Sequence, residues 1–359
     1  MTLYVAPNLV VDYNIHGKFS DDWMEFFTNG KNKVNRDTLQ VTAVRDGVVQ
    51  AMIDEKPLTY EGKYVGTSFG GGSTNVVYNT VVWDKAFGIN SHIAYDVPRA
   101  VEGKIFTDTG VDIQYTSNNP RCSVIAQNGN ENLIFTSPLK NDHYRKDLGN
   151  FDAVVFNQTH PSIVDKFRDD VRKYVILGTS DIARGLDDIT NKKILDHAEL
   201  LTLTYHELLQ LVGSKTQYHK KVAAVRDILK SDFADFKVKH IVVTNGDKGS
   251  YSSHDGEFSF YDISHQNDIL GVVKASGHNI VAGHSVECLL NNKFTTGAGD
   301  AFASSLIAIK EMGILQHNPE KQIRLASDIA ALVVSLPQAN LHGVSPEIVR
   351  SFLKYRHVA

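Results

Sequence analysis

The sequence predicts an α/β protein: a doubly wound, mostly parallel sheet with helices on both faces, plus a small β-sheet acting as a lid. Three observations predict it. From about Phe151 onward, short apolar runs rich in β-branched residues alternate with stretches of helical period, the pattern of βαβ units and a parallel sheet. Those runs are uninterrupted, as strands covered on both faces require; a half-exposed sheet would alternate. Earlier in the chain two hairpin patterns break the rhythm and provide the material for a second sheet.

Taken in chain order, the first apolar run covers 3–11 and is closed by Asp12. Residues 39–44 and 48–53 alternate around Arg45-Asp46-Gly47, the first hairpin. Gly70-Gly71-Gly72-Ser73-Thr74-Asn75 leads into a helical stretch over 76–86. A second hairpin pairs 123–127 with 132–136 around Asn128-Gly129-Asn130. Buried strands follow at 153–156, 174–177, 200–203 and 240–244, with helices over 161–171, 190–197 and 216–229 between them. A third hairpin joins 250–253 to 257–262 through His254-Asp255-Gly256. Near the end Phe302, Leu306 and Ile309 recur at helical spacing, and Gly313 supplies a C-cap. This divides the chain into a core of residues 1–12, 66–110 and 140–359 and a lid of 13–65 and 111–139.

Composition narrows the function classes. Of 359 residues 42% are hydrophobic and 22% charged, enough apolar material for a large core. The net charge is −4 with the signs interspersed, so no basic block favours nucleic acid. The short lysine-containing stretches 31–33, 192–193 and 220–221 read as solvated surface. Two cysteines, Cys122 and Cys288, lack CxxC spacing, against a disulfide framework or structural zinc and in favour of a cytoplasmic location. The start has no basic leader, and the longest strongly apolar run, 329–336, is too short for a bilayer. No membrane partner is expected.

The most informative segment is Thr295-Thr296-Gly297-Ala298-Gly299-Asp300-Ala301-Phe302, which opens the last apolar helix. The first amides of a helix have no partner within it and carry its positive dipole end. Glycine and alanine leave those amides open to an anion, so the turn is a phosphate site. Asp300 falls in the first turn beside that anion. Such a carboxylate can accept the proton of an attacking hydroxyl; an acid there also serves the helix dipole, and Asp300 alone leaves both roles open.

That octapeptide resembles the C-terminal signature of the ribokinase (PfkB) family of sugar and nucleoside kinases, and other features follow in family order along almost the whole chain. The resemblance implies ATP-dependent phosphoryl transfer to an alcohol group, with ATP and Mg²⁺ as cofactors. It makes Asp300 the base and the Gly297, Ala298 and Gly299 amides the anion hole. Gly70 and Gly71, in the register set by Asn75, then let a sugar or nucleoside lie against the backbone, while Asn75 and Asp12 bind its hydroxyls. Val242 to Ser250 resembles the nucleotide-edge turn, giving Thr244, Gly246 and Gly249, with Thr296, as nucleotide contacts. Rival loops fail: Gly70-x-Gly72 lacks the third Rossmann glycine, and Gly66 and Gly71 have Walker spacing with no lysine following. A nicotinamide-dependent oxidoreductase is correspondingly disfavoured. Lid hairpins can pair between subunits, which would make a homodimer.

The chain also departs from the pattern. Where the family carries Asn-x-x-Glu, which organises magnesium and its waters, this sequence reads Thr204-Tyr205-His206-Glu207; Glu207 is retained as the metal candidate, acting through water. Phe294 stands where an acid usually precedes the threonines, and residues 179–184 match the Asp-x-Asn-x-Arg stretch only loosely. These departures motivate a second reading, a ligand-binding regulator on a weakened kinase scaffold. His206 reads as a non-ligand; Arg121, at the entry to the second hairpin, reads as a surface residue, with a phosphate clamp on lid closure as the alternative.

Overall fold

The structure is a computed structural model that describes residues 2–16, 40–42, 63–117, 120–128, 131–136, 144–158, 161–212, 222–290 and 297–357. Its main sheet has nine strands. In chain order they are β1 (Thr2–Val5), β5 (His92–Pro98), β6 (Asp112–Thr116), β9 (Ala153–Asn157), β10 (Arg172–Ile176), β11 (Leu200–Thr204), β12 (His240–Thr244), β13 (Ser250–His254) and β14 (Glu257–Tyr261). The spatial order is β14-β13-β12-β11-β10-β9-β1-β5-β6, parallel throughout except for the β13–β14 hairpin at one edge. The chain winds outward from β1 on one side and from β9 on the other, so the two central strands frame the crevice where a doubly wound sheet binds ligands.

Alternation along each strand explains the two layers. Leu3, Val5, Val155, Tyr174 and Val242 point into one core with the helices Gly72–Phe87, Gln266–Ala275, Ala298–Glu311, Pro319–Ser335 and Pro346–Phe352. Tyr4, Val154, Phe156, Val175, Leu201 and Val243 point into the other, under the shorter helices Ile189–Leu195, Tyr205–Leu211 and Val222–Ser231. Burying each such side chain stabilises the fold by about 1.5–3 kcal/mol, and this explains why the strand runs carry no polar alternation.

A second sheet has five strands in the order β3-β8-β7-β2-β4, formed by β2 (Val10–His16), β3 (Gln40–Thr42), β4 (Lys63–Gly70), β7 (Arg121–Asn128) and β8 (Glu131–Thr136). The expected β7–β8 hairpin is present. The turn Arg45-Asp46-Gly47 of the first hairpin lies outside the described residues. Strand membership cuts across the division drawn from sequence: β6 pairs with β5 in the large sheet, and β4 belongs to the small one through Gly70.

Several element boundaries differ from expectation. The first apolar run is two strands, because Ala6-Pro7-Asn8 interrupts it and proline cannot donate to a ladder. Asp12 therefore lies inside β2, not at a strand end. The helix expected over 76–86 begins at Gly72, so Gly72 to Asn75 are helical despite low propensity. Only Pro161–Val164 of the expected 161–171 helix is helical. Among the described residues no helix is long and apolar enough to cross a membrane.

Candidate active site

The Ala298–Glu311 helix starts from Gly297, whose φ of 84° is left-handed. A Cβ at Gly297 would also overlap the Ala339 carbonyl, so glycine is required on both counts. The first intrahelical bond runs from the Ala301 N–H to the Gly297 carbonyl at 2.8 Å. The amides of Ala298, Gly299 and Asp300 thus have no intrahelical partner, and no side chain caps this end. Around Gly299 the space a Cβ would take is open. Free amides, a positive dipole end and clear approach are what an anion at a helix start requires.

Asp300 stands at the lip of that turn, and its carboxylate accepts a hydrogen bond from the Asn75 Nδ2 at 2.9 Å. Burial raises its pKa above the ordinary carboxylate value, opposed by the Asn75 donor and by the nearby Asn157 amide. The Asn157 Nδ2 itself has no acceptor at hydrogen-bond geometry, so it is a spare donor at the end of β9. Below Asp300 the two helices share a polar seam. The Asn79 Nδ2 donates to the Ser304 Oγ at 2.9 Å, and the Trp83 Nε1 donates to the Ser305 Oγ at 3.0 Å.

Asp12 faces this pair from β2. The Ser123 hydroxyl, directly across on β7, donates to its carboxylate. Burial chiefly, and the Asp300 charge in addition, push the Asp12 carboxyl up to about 7 against the pull of Ser123 and Arg121. The glycine run explains how these groups come so close. A Cβ on Gly70 would overlap the Asp12 Oδ2, one on Gly71 the Asn8 carbonyl, and one on Gly72 the Asn157 amide. The glycines thus make room first for the protein's own polar groups.

Arg121 is not on the surface: it is 7% exposed, and its Nη1 donates to the Asn8 Oδ1 at 2.9 Å and the Gln158 Oε1 at 3.1 Å. Two residues from Ser123 on β7, it shares that residue's face of the strand, and burial lowers its pKa to about 10.

A cleft of about 200 Å³ opens over the carboxyl ends of β9 to β12, lined among others by Asn157, Thr204, Glu207, Thr244, Gly297, Gly299 and Asp300. Thr244 therefore shares a cleft with Asp300. Gly246 and Gly249 lie in the turn beyond it, where the Asn245 N–H donates to the Gly249 carbonyl at 2.8 Å. Thr296 lies outside the described residues. A larger cavity, about 1430 Å³, is lined by Asp165, Lys173, Lys193 and Asp232 among others and by none of the candidate residues.

Thr204 and Glu207 form a capping box on the Tyr205–Leu211 helix: the Thr204 N–H donates to the Glu207 Oε2 at 2.6 Å, and the Glu207 N–H to the Thr204 Oγ1 at 3.2 Å. Burial raises the Glu207 pKa, with Asp300 and Asp181 adding to the effect. Burial raises the Asp181 carboxyl to about 6 against the pull of Arg184 and the Gly178 N–H. His206 contacts Gln210 at 3.0 Å. Among the described residues no group of three His, Cys, Asp or Glu side chains could hold a metal. A magnesium ion carried in on nucleotide phosphates needs only one or two protein carboxylates. Glu207, with one oxygen tied to Thr204, fits that part, and the surplus of acids at the cleft favours a cation-bearing ligand.

Sequence reasoning missed Ser123, Asn157 and Asn340, the last of which bonds Asn75. Two had signals: Asn157 ends a buried strand at the ligand-binding edge, and Ser123 opens an expected hairpin strand. Asn340 had none.

No protein-family model matches the sequence, and a search of curated proteins finds no match. Solved structures do match. Adenosine kinase from Sinorhizobium meliloti superposes with a TM-score of 0.62 at 15% identity, over 94% of this chain and 95% of that one. Ribokinase from Thermotoga maritima gives 0.60 at 16% over 98% and 99%. Arabidopsis thaliana ribokinase, solved with ribose and ATP, gives 0.58 at 16% over 99% and 98%. At these identities the likeness is one of fold, and it spans the chain.

Proposed function

We propose that this chain, of ribokinase-like fold, is an ATP-dependent kinase that moves the γ-phosphate to an alcohol group of a sugar or nucleoside. The observation that carries the reading is the pairing of Asp300 with the open amides of Ala298 and Gly299 at the mouth of one cleft. An acid next to an anion site is unfavourable unless it has a task, and taking the proton of an incoming hydroxyl is such a task.

In this reading the acceptor's hydroxyls bond to Asp12, close to Gly70, Gly71 and Asn75. The transferring group meets the Gly297–Gly299 turn, whose fixed dipoles stabilise charge without reorganising. The nucleotide extends past Thr244 towards Gly246 and Gly249, with Thr296 beside the phosphates. Asp300 receives the acceptor's proton on its carboxylate. Glu207 would hold magnesium through water, and the bound ion supplies neutralisation of the phosphate oxygens. Burial raises the pKa of Asp300, which makes it a better proton acceptor than an ordinary carboxylate.

The test combines turnover with binding. Ribose and adenosine with ATP and Mg²⁺ should yield ADP, and a non-hydrolysable ATP analogue with Mg²⁺ should raise the melting temperature where NAD does not. Asp300→Asn should keep the nucleotide-dependent shift and lower kcat at least about a hundredfold. Near-normal kcat in that variant removes Asp300 from the mechanism. Ligand binding without product in the unaltered protein favours the regulator.

A further inference from the structure

Asn340 lies in the turn after the Pro319–Ser335 helix, 5% exposed. It is not among the residues lining the cleft. Its side chain nonetheless completes a run of three hydrogen bonds that ends on the candidate base. The His342 backbone N–H donates to the Asn340 Oδ1 at 2.9 Å. The Asn340 Nδ2 donates to the Asn75 Oδ1 at 3.0 Å, and the Asn75 Nδ2 donates to the Asp300 Oδ2 at 2.9 Å.

The direction of this run is set at both ends. A backbone N–H can only donate, and an ionised carboxylate can only accept. Between them the two amides fit in one orientation; turning either over sets oxygen against oxygen or NH₂ against a donor. We infer that Asn340 is a positioning residue which, by donating to Asn75, keeps the Asn75 NH₂ turned towards Asp300 and so keeps that carboxylate aimed and supplied with a donor. The inference rests on Asp300 being the base of the proposed transfer.

The surroundings show why the donor matters. Asp12 from β2 and Glu207 from the Tyr205–Leu211 helix both lie close enough to feel the Asp300 charge. Arg121 compensates Asp12, Asp181 adds its charge near Glu207, and Asn157 faces Asp300 from β9. Against burial, the Asn75 donor is the largest influence favouring the ionised form of Asp300, followed by the Asn157 amide.

The experiment reads the Asp300 pKa directly in the substrate-free protein, by ¹³C NMR of carboxyl-labelled aspartates, with the signal assigned by its loss in Asp300→Asn. Asn340→Asp keeps the shape but replaces the donor with an acceptor, so the Asn75 amide must turn over and present oxygen to Asp300. The expected result is a rise of about one unit or more, with a smaller rise in Asn340→Ala. Because the added carboxylate also acts through space, both substitutions are repeated in an Asn75→Ala background. Transmission through Asn75 predicts that the rise there falls to less than half. An unchanged Asp300 pKa in both variants, or a rise that persists in full without Asn75, overturns the inference. Should Asn340→Asp fail to fold, the Asn340→Ala pair decides alone. Turnover separates the two readings: with ATP and ribose or adenosine, the acid limb of the kcat–pH profile should move with the NMR value. An NMR shift with an unmoved limb leaves the hydrogen-bond coupling of Asn340 to Asp300 standing but refutes Asp300 as base, and with it a part for Asn340 in the transfer.

Discussion

Replacing Asp12 by asparagine should make the folded protein more stable at alkaline pH, although it removes a proposed anchor for the acceptor. In the fold the Asp12 carboxyl titrates at about 7 against an ordinary 3.8. A carboxyl with a raised folded pKa binds its proton more tightly when folded. Its stabilising contribution is fully present below 3.8 and is lost as pH rises through about 7. Three units at about 1.36 kcal/mol each set a ceiling of about 4 kcal/mol, and water reaching the partly exposed side chain reduces this to about 2. Asparagine has no proton to lose, and its oxygen can still accept from the Ser123 hydroxyl. The stability of Asp12→Asn relative to the unaltered chain should therefore climb by about 2–4 kcal/mol between pH 4 and pH 8. The assay is paired urea melts at half-unit pH steps. A difference flat in pH, or a variant less stable at pH 8, would show that desolvation does not govern this carboxyl and would reduce Asp12 to a structural partner of Ser123.

Two further outcomes follow from the same geometry. Gly297→Ala and Gly246→Ala both force a left-handed residue, at φ 84° and 55°, but a Cβ meets the Ala339 carbonyl in the first and open space in the second. Denaturant melts should show a loss of about 1–2 kcal/mol for Gly246→Ala and about 3 kcal/mol or more for Gly297→Ala. Arg121→Met leaves the Asn8 and Gln158 oxygens without their donor and Asp12 without its compensating charge. It should cost about 2–4 kcal/mol and move the Asp12 titration further up, both measurable by melts over pH.

What could be read ahead of the structure follows the range of the forces involved. The strands at 153–156 and 240–244 were legible because burial on both faces leaves an unbroken apolar run, and β12 matches its expected bounds residue for residue. The start of the Ala298–Glu311 helix was legible because its glycines and acid are contiguous. Arg121 was not, because its burial depends on Asn8 and Gln158, 113 and 37 residues away in sequence. Asn340 reaches Asn75 across 265 residues from an unremarkable turn. Thr204 to Glu207 was legible in another sense: Thr-x-x-Glu ahead of an apolar run is a capping box, a local meaning that comparison with Asn-x-x-Glu obscured.

The seam between the Gly72–Phe87 and Ala298–Glu311 helices sets a phase as well as a contact. Asn75, Asn79 and Trp83 follow one another at four-residue intervals and meet Asp300, Ser304 and Ser305 in the same sequence. A one-residue insertion between Asn75 and Asn79 would rotate the earlier part of that helix by about 100° relative to the later part, carrying Asn75 off Asp300 while the lower rungs stayed engaged. Apolar repacking elsewhere in the layer would leave the phase untouched. The upper end of this helix pair is thus indexed like a keyed shaft, which makes it intolerant of length changes yet permissive of new hydrophobic neighbours.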